Sequence, residues 1–530
     1  MAIIIRNITT PVGTPQEEII RAAMKKAGLS PGAAVRAGIH KTSLDARKRD
    51  NIHLVSSVRV ELESSRAEEA VSSRKDFVTL DSTVPFEVTP GRFPPELRGK
   101  VAVAGFGPGG MFAALTLAEA GACPIVFERG GDVDSRTAAV ENFLSGGEFS
   151  PVSNVQFGEG GAGTFSDGKL TTRIKDPLCG YVSRRLYEFG APEEILFSAH
   201  PHIGTDRLRG IVKRLRQRII SLGGDVRFNT KVEDIIIRNG AVAGVIAKGE
   251  EIPVNALIFA VGHSARDTFE MLLKRGVAME AKPFAVGARI EHLQAAVDRS
   301  LYGEYAGLAE KGLLPRGEYQ QSFTAEGRGV YTFCMCPGGV VIPSQSEAET
   351  VVTNGMSEYA RDGRNANAAL VAAVSPADFG NAPLDGVKFV RDIEKRAWQV
   401  SVDYKAPGCT VGAFLERRGS LEGASIVPTY SRGLVPCDLD GILPGFVTEK
   451  MREGLRVFAR RMDCFGDMGA VLTAPETRTS SPVRILRGEG FCSVSLKGFY
   501  PCGEGAGYAG GIMSAAVDGV RLAKAVIDME

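Results

Sequence analysis

The stretch Val101-Ala-Val-Ala-Gly-Phe-Gly-Pro-Gly-Gly110 constrains the fold of this chain more than any other. Val101–Ala104 reads as a short buried strand, and a glycine turn follows. The apolar spacing from about Pro108 to Ala120 predicts a helix that stops at Gly121. Pro124–Phe127 then reads as a second strand, closed by Glu128. Strand, turn, helix and strand in this order form a βαβ unit, so a parallel sheet covered by helices is expected. Each glycine meets a separate demand: Gly105 permits the tight turn, Gly107 lets the backbone approach a ligand diphosphate, and Gly110 lets helix and strand pack closely. The helix that starts at Pro108 and Gly109 turns unpaired N–H groups and the positive end of its dipole toward the phosphates. Glu128, followed by Arg129, stands where a carboxylate accepts ribose hydroxyls and repels a 2′-phosphate, which disfavours NADP.

The same GxGxxG pattern occurs at Gly158–Gly163 and at Gly505–Gly510, so the pattern alone is a weak signal. Only the first match has a strand before it, a helix after it and an acid at the end of the next strand. The third stands 25 residues before the last residue of the sequence, which leaves no room here for a βαβ unit behind it. It reads Tyr500-Pro-Cys-Gly503-Glu504-Gly-Ala-Gly-Tyr-Ala-Gly510-Gly511, followed by a predicted helix Ile512–Ile527. That order presents amides and a helix N-terminus to an anion, which is what the pyrimidine edge of a flavin becomes on reduction. The combination selects FAD over NAD.

Composition bounds the rest. A hydrophobic fraction of 44%, a charged fraction of 24% and a net charge of +1 describe a globular chain with no global attraction to nucleic acid or anionic membrane. No apolar run approaches the ~18 residues needed to cross a bilayer. The start Met1-Ala-Ile-Ile-Ile-Arg6 reads as a strand rather than a signal peptide. Nine cysteines without a CxxC pair or zinc spacing are expected to be free thiols. A cytoplasmic protein with no metal site is the expectation.

The expected fold class is α/β, a Rossmann-type FAD-binding domain with an inserted α+β substrate domain and a small N-terminal α+β module. The module is drawn at 1–80, a linker at 81–95, the FAD-binding domain at 96–289 and 456–530, and the inserted substrate or cap domain at 290–455. In the module, Thr14-Pro15-Gln16-Glu17 reads as a capping box, Gly28 as a helix stop and Ile52–Glu61 as a strand. Linker character, rich in Ser, Glu and Pro, extends from about Glu63 to Pro95. The basic stretch His40–Arg49 is taken as a solvated helix face, with RNA binding as the rival reading. Further on, a helix near Asp206–Ser221 and strands near Val226–Asn229, Asp234–Ile237, Ala241–Ala247 and Ala256–Val261 are expected.

The sequence resembles the glutathione-reductase-type FAD fold, and more closely a family of uncharacterised bacterial FAD-dependent dehydrogenases, NAD(P)/FAD-dependent oxidoreductases with a small N-terminal module. The stretches that carry the resemblance are Gly105–Glu128, Phe157–Leu170, Ala256–Gly262, Phe333–Gly339, Glu476–Arg484 and Tyr500–Gly511. The resemblance implies that Glu128 binds the adenosine ribose, that Val232 lies near the adenine, and that Ala260–Gly262 passes the cofactor. It also implies that the loop with Gly503, Glu504, Gly510, Gly511 and Ile512 meets the flavin. Gly161 and Ala162 fall where disulfide reductases of this fold carry their redox cysteines. No cysteine lies between Cys123 and Cys179, so a relay at that position is excluded. The absence of a second complete βαβ fingerprint makes NAD(P)H at most a transiently docked electron donor.

Candidate chemistry rests on few residues. Cys334 and Cys336, on one side of a strand or turn, and Cys502 beside the flavin loop are either a redox or nucleophilic centre or buried structural thiols. Arg478 either clamps a substrate carboxylate or pairs with Glu476. Lys169 either lies along the flavin and tunes its electron affinity or belongs to a solvated loop. His263 and His292 are proton-donor candidates beside a structural alternative, and His200-Pro-His202 lacks further metal ligands in sequence. The expected function is FAD-dependent oxidation or reduction of an organic small-molecule substrate by hydride transfer. The rivals are an RNA-associated flavoprotein and a non-catalytic FAD-binding scaffold.

Overall fold

The computed structural model describes residues 1–400 and 402–528. Val101–Ala104 is the middle strand of a five-stranded parallel sheet, in the order Phe499–Pro501, Ala256–Phe259, Val101–Ala104, Ile125–Phe127, Asp225–Arg227. A parallel sheet is buried on both faces, and alternation divides this strand between two cores. Val101 and Val103 pack with the helices Pro108–Glu119, Thr205–Ser221 and Ile512–Ile527. Ala102 and Ala104 face a three-stranded antiparallel sheet, Val232–Arg238, Ala241–Ala247 and Glu250–Pro253, and the helix Arg266–Lys274. The helices Pro108–Glu119 and Ile512–Ile527 touch so closely that a Cβ on Gly519 would lie 2.0 Å from the Gly109 carbonyl oxygen.

The second body is a seven-stranded sheet in the order Ser322–Ala325, Arg328–Cys336, Asn365–Val374, Phe284–Leu293, Val471–Glu476, Ala406–Thr410, Leu434–Pro436. Its neighbours run antiparallel except the last pair, which is parallel. Helices Asp385–Val400 and Gly445–Arg461 contribute to its core. This sheet begins at Phe284 and takes its fifth strand from Val471–Glu476, so the boundaries at 290 and 455 are corrected: the first cuts a strand and the second a helix. Register explains why the body reaches so far along the chain. Phe284–Leu293 pairs with strands on both sides, from Asn365–Val374 and from Val471–Glu476, and neither is its sequence neighbour.

The N-terminal module is an antiparallel four-stranded sheet, Ala34–Asp45, His53–Leu62, Ala2–Pro11, Val78–Asp81, with helices Gln16–Lys26 and Ser65–Ser72. Three expectations are corrected here. No side chain caps the first helix: the Thr14 hydroxyl donates instead to the Pro11 carbonyl oxygen at 2.7 Å. The linker character assigned from Glu63 hides a helix capped by Ser64 and the edge strand Val78–Asp81. His40–Asp45 is strand rather than helix. Gly28 does stop the first helix, where Leu29 N donates to Met24 O and Gly28 N to Lys25 O. Among the described residues no helix is long and apolar enough to cross a membrane.

Candidate cofactor and substrate cavity

Between the parallel sheet, the seven-stranded sheet and the N-terminal module lies a cavity of about 1700 Å³. Pockets for one drug-sized ligand take roughly 300–1,000 Å³, so a dinucleotide and a second molecule fit side by side. Every residue expected at the cofactor lines this cavity except Gly110: Gly105, Gly107, Pro108, Gly109, Glu128, Arg129, Gly161, Ala162, Lys169, Val232, Ala260, Gly262, Gly503, Glu504, Gly510, Gly511 and Ile512. Gly110 lies behind the wall, where a Cβ would meet the Gly105 carbonyl oxygen at 2.0 Å. Although grouped with the cofactor residues, it serves the close helix packing expected of it rather than a ligand contact.

The turn at Gly105 leaves no space for any other residue. Its φ is +92°, and a Cβ there would lie 2.3 Å from the Ala260 carbonyl oxygen. The loop Gly158–Gly163 closes over it, with a Cβ on Gly161 only 2.9 Å from the Gly107 Cα. The helix Pro108–Glu119 starts beneath, and its first amides have no intrahelical partner. Glu128 organises this turn: Phe106 N donates to its Oε2 at 2.8 Å, while Gly130 N and Gly158 N each donate to its Oε1 at 2.9 Å. A carboxylate has about four lone-pair sites, so one remains toward the cavity. Arg129 stacks its guanidinium 4.3 Å from the Phe157 ring and donates to Asp267 and Thr268. At the other end, Gly503 N donates to Asp518 Oδ2 at 2.8 Å, and Arg487 holds the same carboxylate. The backbone cradle, the free helix starts and the remaining Glu128 lone pair fit FAD, which Gly107–Gly109, Glu128 and Gly510–Ile512 could hold.

The catalytic candidates divide. Lys169, Cys334, Arg478 and Cys502 line the cavity, and Cys336 is buried behind it. Lys169 Nζ donates to Glu318 Oε2 at 2.8 Å, and Glu318 also meets His200 Nδ1 at 2.9 Å. These partners, with Arg361, hold the Glu318 carboxyl well below its usual range against the opposing effect of burial. Arg478 lines the cavity but does not pair with Glu476. It pairs with Glu394, 84 residues away in sequence, at 3.1 and 3.3 Å, and donates to Ser264 Oγ at 2.6 Å. Glu394 also receives Arg266 at 2.7 Å. Burial lowers the Arg478 guanidinium to about 10, and the like charge of Arg266 adds to this.

Glu476 pairs instead with Arg289, at 3.0 Å between buried side chains. Burial raises its carboxyl to about 7, against the attraction of Arg289. Burial likewise raises Glu504 to about 7, although Lys282 opposes it. His263 lies on the cavity wall, with Nε2 3.8 Å from Glu504 Oε1, and burial next to Arg478 and Arg266 lowers it to about 3. A value this low favours the neutral imidazole. His292 is not on the wall; it is buried against Tyr319 and Phe465. Cys502 is buried against Gly109, and burial holds it well above the usual thiol range.

Two contributors gave no sequence signal. Arg289 donates to Glu476, Asn354, Asn367 and the Cys334 carbonyl oxygen, partners that no local spacing connects. The segment Thr42–Leu44 with Ala46, taken as a solvated face, lines the cavity, and Thr42 exchanges backbone hydrogen bonds with Phe197 and Ala199. The strand edge there is a wall.

Comparison with known proteins fits this division. Residues 283–479, nearly the span of the seven-stranded sheet, match the family described as FAD-dependent protein, C-terminal domain-like. Residues 2–61 match a domain of unknown function, DUF8436. Among solved structures, the flavin-dependent brominase Bmp2 aligns over 82% of this chain and 80% of its own at 12% identity, with a TM-score of 0.37. The E. coli quinol fumarate reductase FrdA aligns over 81% and 70% at 13% identity and 0.36. Glycine oxidase from Bacillus cereus ATCC 14579 aligns over 81% and 95% at 12% identity and 0.31. Scores this low carry no inference about chemistry. The family match and the fingerprint geometry together make FAD the cofactor. A protein of Clostridium beijerinckii (strain ATCC 51743 / NCIMB 8052), itself uncharacterised, is 44% identical over 100% of this chain and 99% of its own. The chain therefore belongs to one family with that Clostridium beijerinckii protein.

Proposed function

We propose that this chain is an FAD-dependent oxidoreductase that holds a small organic substrate between its cofactor loops and the seven-stranded sheet. The observation that carries the reading is one continuous cavity walled by both bodies, larger than a single ligand needs. Flavin, when bound, supplies reversible hydride chemistry. The chain's own part is to bind, orient and shield. Gly105–Gly109 and Glu128 fix the dinucleotide, and the helix start at Gly511 and Ile512 places positive potential at the flavin edge. Glu504, its carboxyl raised to about 7 by burial, holds a proton at Oε1 or Oε2 beside the neutral His263. Tyr331 and Phe333 offer apolar surface to the substrate, and Thr42–Leu44 closes the chamber to water. NAD(P)H serves as a transiently docked donor if the enzyme runs as a reductase.

The test is direct. Purified protein is expected to be yellow, and anaerobic bleaching by NADH or NADPH marks a reductase. Bleaching by an organic substrate alone marks a dehydrogenase. A colourless protein that refuses added FAD overturns the proposal.

A further inference from the structure

The cavity wall opposite in origin to the fingerprint, the strand Arg328–Cys336, carries two sulfurs that the reading above leaves idle. Regular alternation would set Cys334 and Cys336 side by side on one face, about 6.6 Å apart along the strand. That lies at the far edge of the separation a disulfide tolerates. The strand is not regular here. Its pairing with Asn365–Val374 shifts register between Phe333 and Cys336, and Cys334 takes a left-handed φ of +45°. A bulge of this kind shortens the path between flanking residues and re-aims a side chain. The result is visible in the contacts. Cys334 stands half-buried on the cavity wall, and the Cys336 sulfur folds back to 3.5 Å from the Cys334 carbonyl oxygen.

The surroundings favour electron and proton exchange at these sulfurs. Arg289 is buried beneath them and donates to the Cys334 carbonyl oxygen at 2.8 Å. Glu476, a buried carboxyl near neutrality and also on the cavity wall, pairs with that arginine at 3.0 Å. Cys336 and Arg289 lower the Cys334 thiol to about 6, whereas burial raises Cys409 and Cys464 to about 12. A Cβ on Gly355 would lie 2.8 Å from both Arg289 Nη1 and the Cys336 sulfur, so the group is tightly enclosed on its inner side. Among the described residues no set of His, Cys, Asp and Glu is arranged to hold a metal, which leaves the pair for thiol chemistry.

We propose that Cys334 and Cys336 form a dithiol–disulfide couple that exchanges one electron pair with FAD held in the same cavity. This rests on the FAD reading. In the oxidising direction two S–H bonds break and one S–S bond forms. The two electrons and two protons released are taken up by oxidised flavin, and the reverse transfer restores both thiols. The relay that the fold's reductases place in the loop at Gly161 is supplied here from the other wall.

An anaerobic dithionite titration of oxidised holoprotein tests this. Wild type is expected to take up about four electrons per FAD, and Cys334→Ser and Cys336→Ser about two, since flavin and disulfide are each two-electron couples. Peptide mass spectrometry of unreduced wild type, which needs no variant to fold, is expected to find the segment with Cys334 and Cys336 lighter by two hydrogens and closed to iodoacetamide. Uptake of two electrons by wild type, with both thiols alkylated after oxidation, overturns the couple. A protein without flavin that still closes the disulfide under diamide keeps the dithiol and overturns its exchange with FAD. One that lacks flavin and leaves both thiols open to iodoacetamide overturns the couple as well.

Discussion

The two bodies that enclose the cavity line it by opposite means. The parallel-sheet body works with backbone: glycines at 105, 107, 109 and 161, amides at two helix starts, and one carboxylate that accepts from three main-chain N–H groups. The seven-stranded body works with buried charge. Arg289 with Glu476, and Arg478 with Glu394, place four ionic side chains in or beside the same space, and Arg266 from the parallel-sheet body joins Glu394. A backbone cradle is rigid and cannot titrate, so it suits a resident cofactor. Buried ion pairs are costly to keep and costly to break, and they tune protons and thiols, which suits the reacting side.

If that contrast is right, the largest effect on cofactor binding belongs to Gly105→Ala. Its Cβ has nowhere to go against the Ala260 carbonyl oxygen, and the loss of FAD is expected to exceed about 100-fold, equivalent to about 2.7 kcal/mol or more. Visible absorbance of the purified variant reads it, and normal flavin content there would break the backbone half of the comparison. Arg289→Met is expected next. It strands Glu476 without a counter-charge at a cost of about 3–5 kcal/mol in urea unfolding, and Arg289→Met with Glu476→Gln recovers most of that. If the double variant is as unstable as the single, the charge argument fails. Glu128→Gln keeps the shape but places N–H groups against donors, and a loss of about 1–3 kcal/mol in FAD affinity is expected from one unsatisfied site. Equilibrium dialysis decides it.

The smallest effect is a pH dependence in the seven-stranded body. His292 is lowered from 6.5 to about 4 by burial, so the unfolded chain binds more protons than the folded one below about 6.5. Stability from this residue is present above that pH and is lost as the pH falls toward 4, by about 1.4 kcal/mol at pH 5.5. Urea midpoints at pH 7.5 and 5.5 are expected to differ less in His292→Phe than in wild type. An equal difference would remove His292 as the cause.

How much was legible follows the same division. The strands at Val101 and Ala256 and the helices Pro108–Glu119, Thr205–Ser221 and Ile512–Ile527 stand where apolar period, glycine and chain order placed them. The cofactor loops were legible for the same reason, since close backbone approach demands glycine at fixed spacing. The strand Ala34–Asp45 was not, because its cavity-lining residues Thr42, Ser43 and Leu44 are consecutive and give no alternating signal. Arg478 was seen but its partner was not.

The sequence by itself determined the βαβ opening, the glycine turn at Gly105 and the anion-facing helix start at Ile512, because each is a local conformation written in adjacent residues. Only the tertiary structure decided that Glu476 meets Arg289, 187 residues away, and that a bulge turns Cys334 to the cavity beside Cys336. Those depend on which strands become neighbours in the seven-stranded sheet, and pairing between distant strands is settled by burial of the whole face rather than by any one segment.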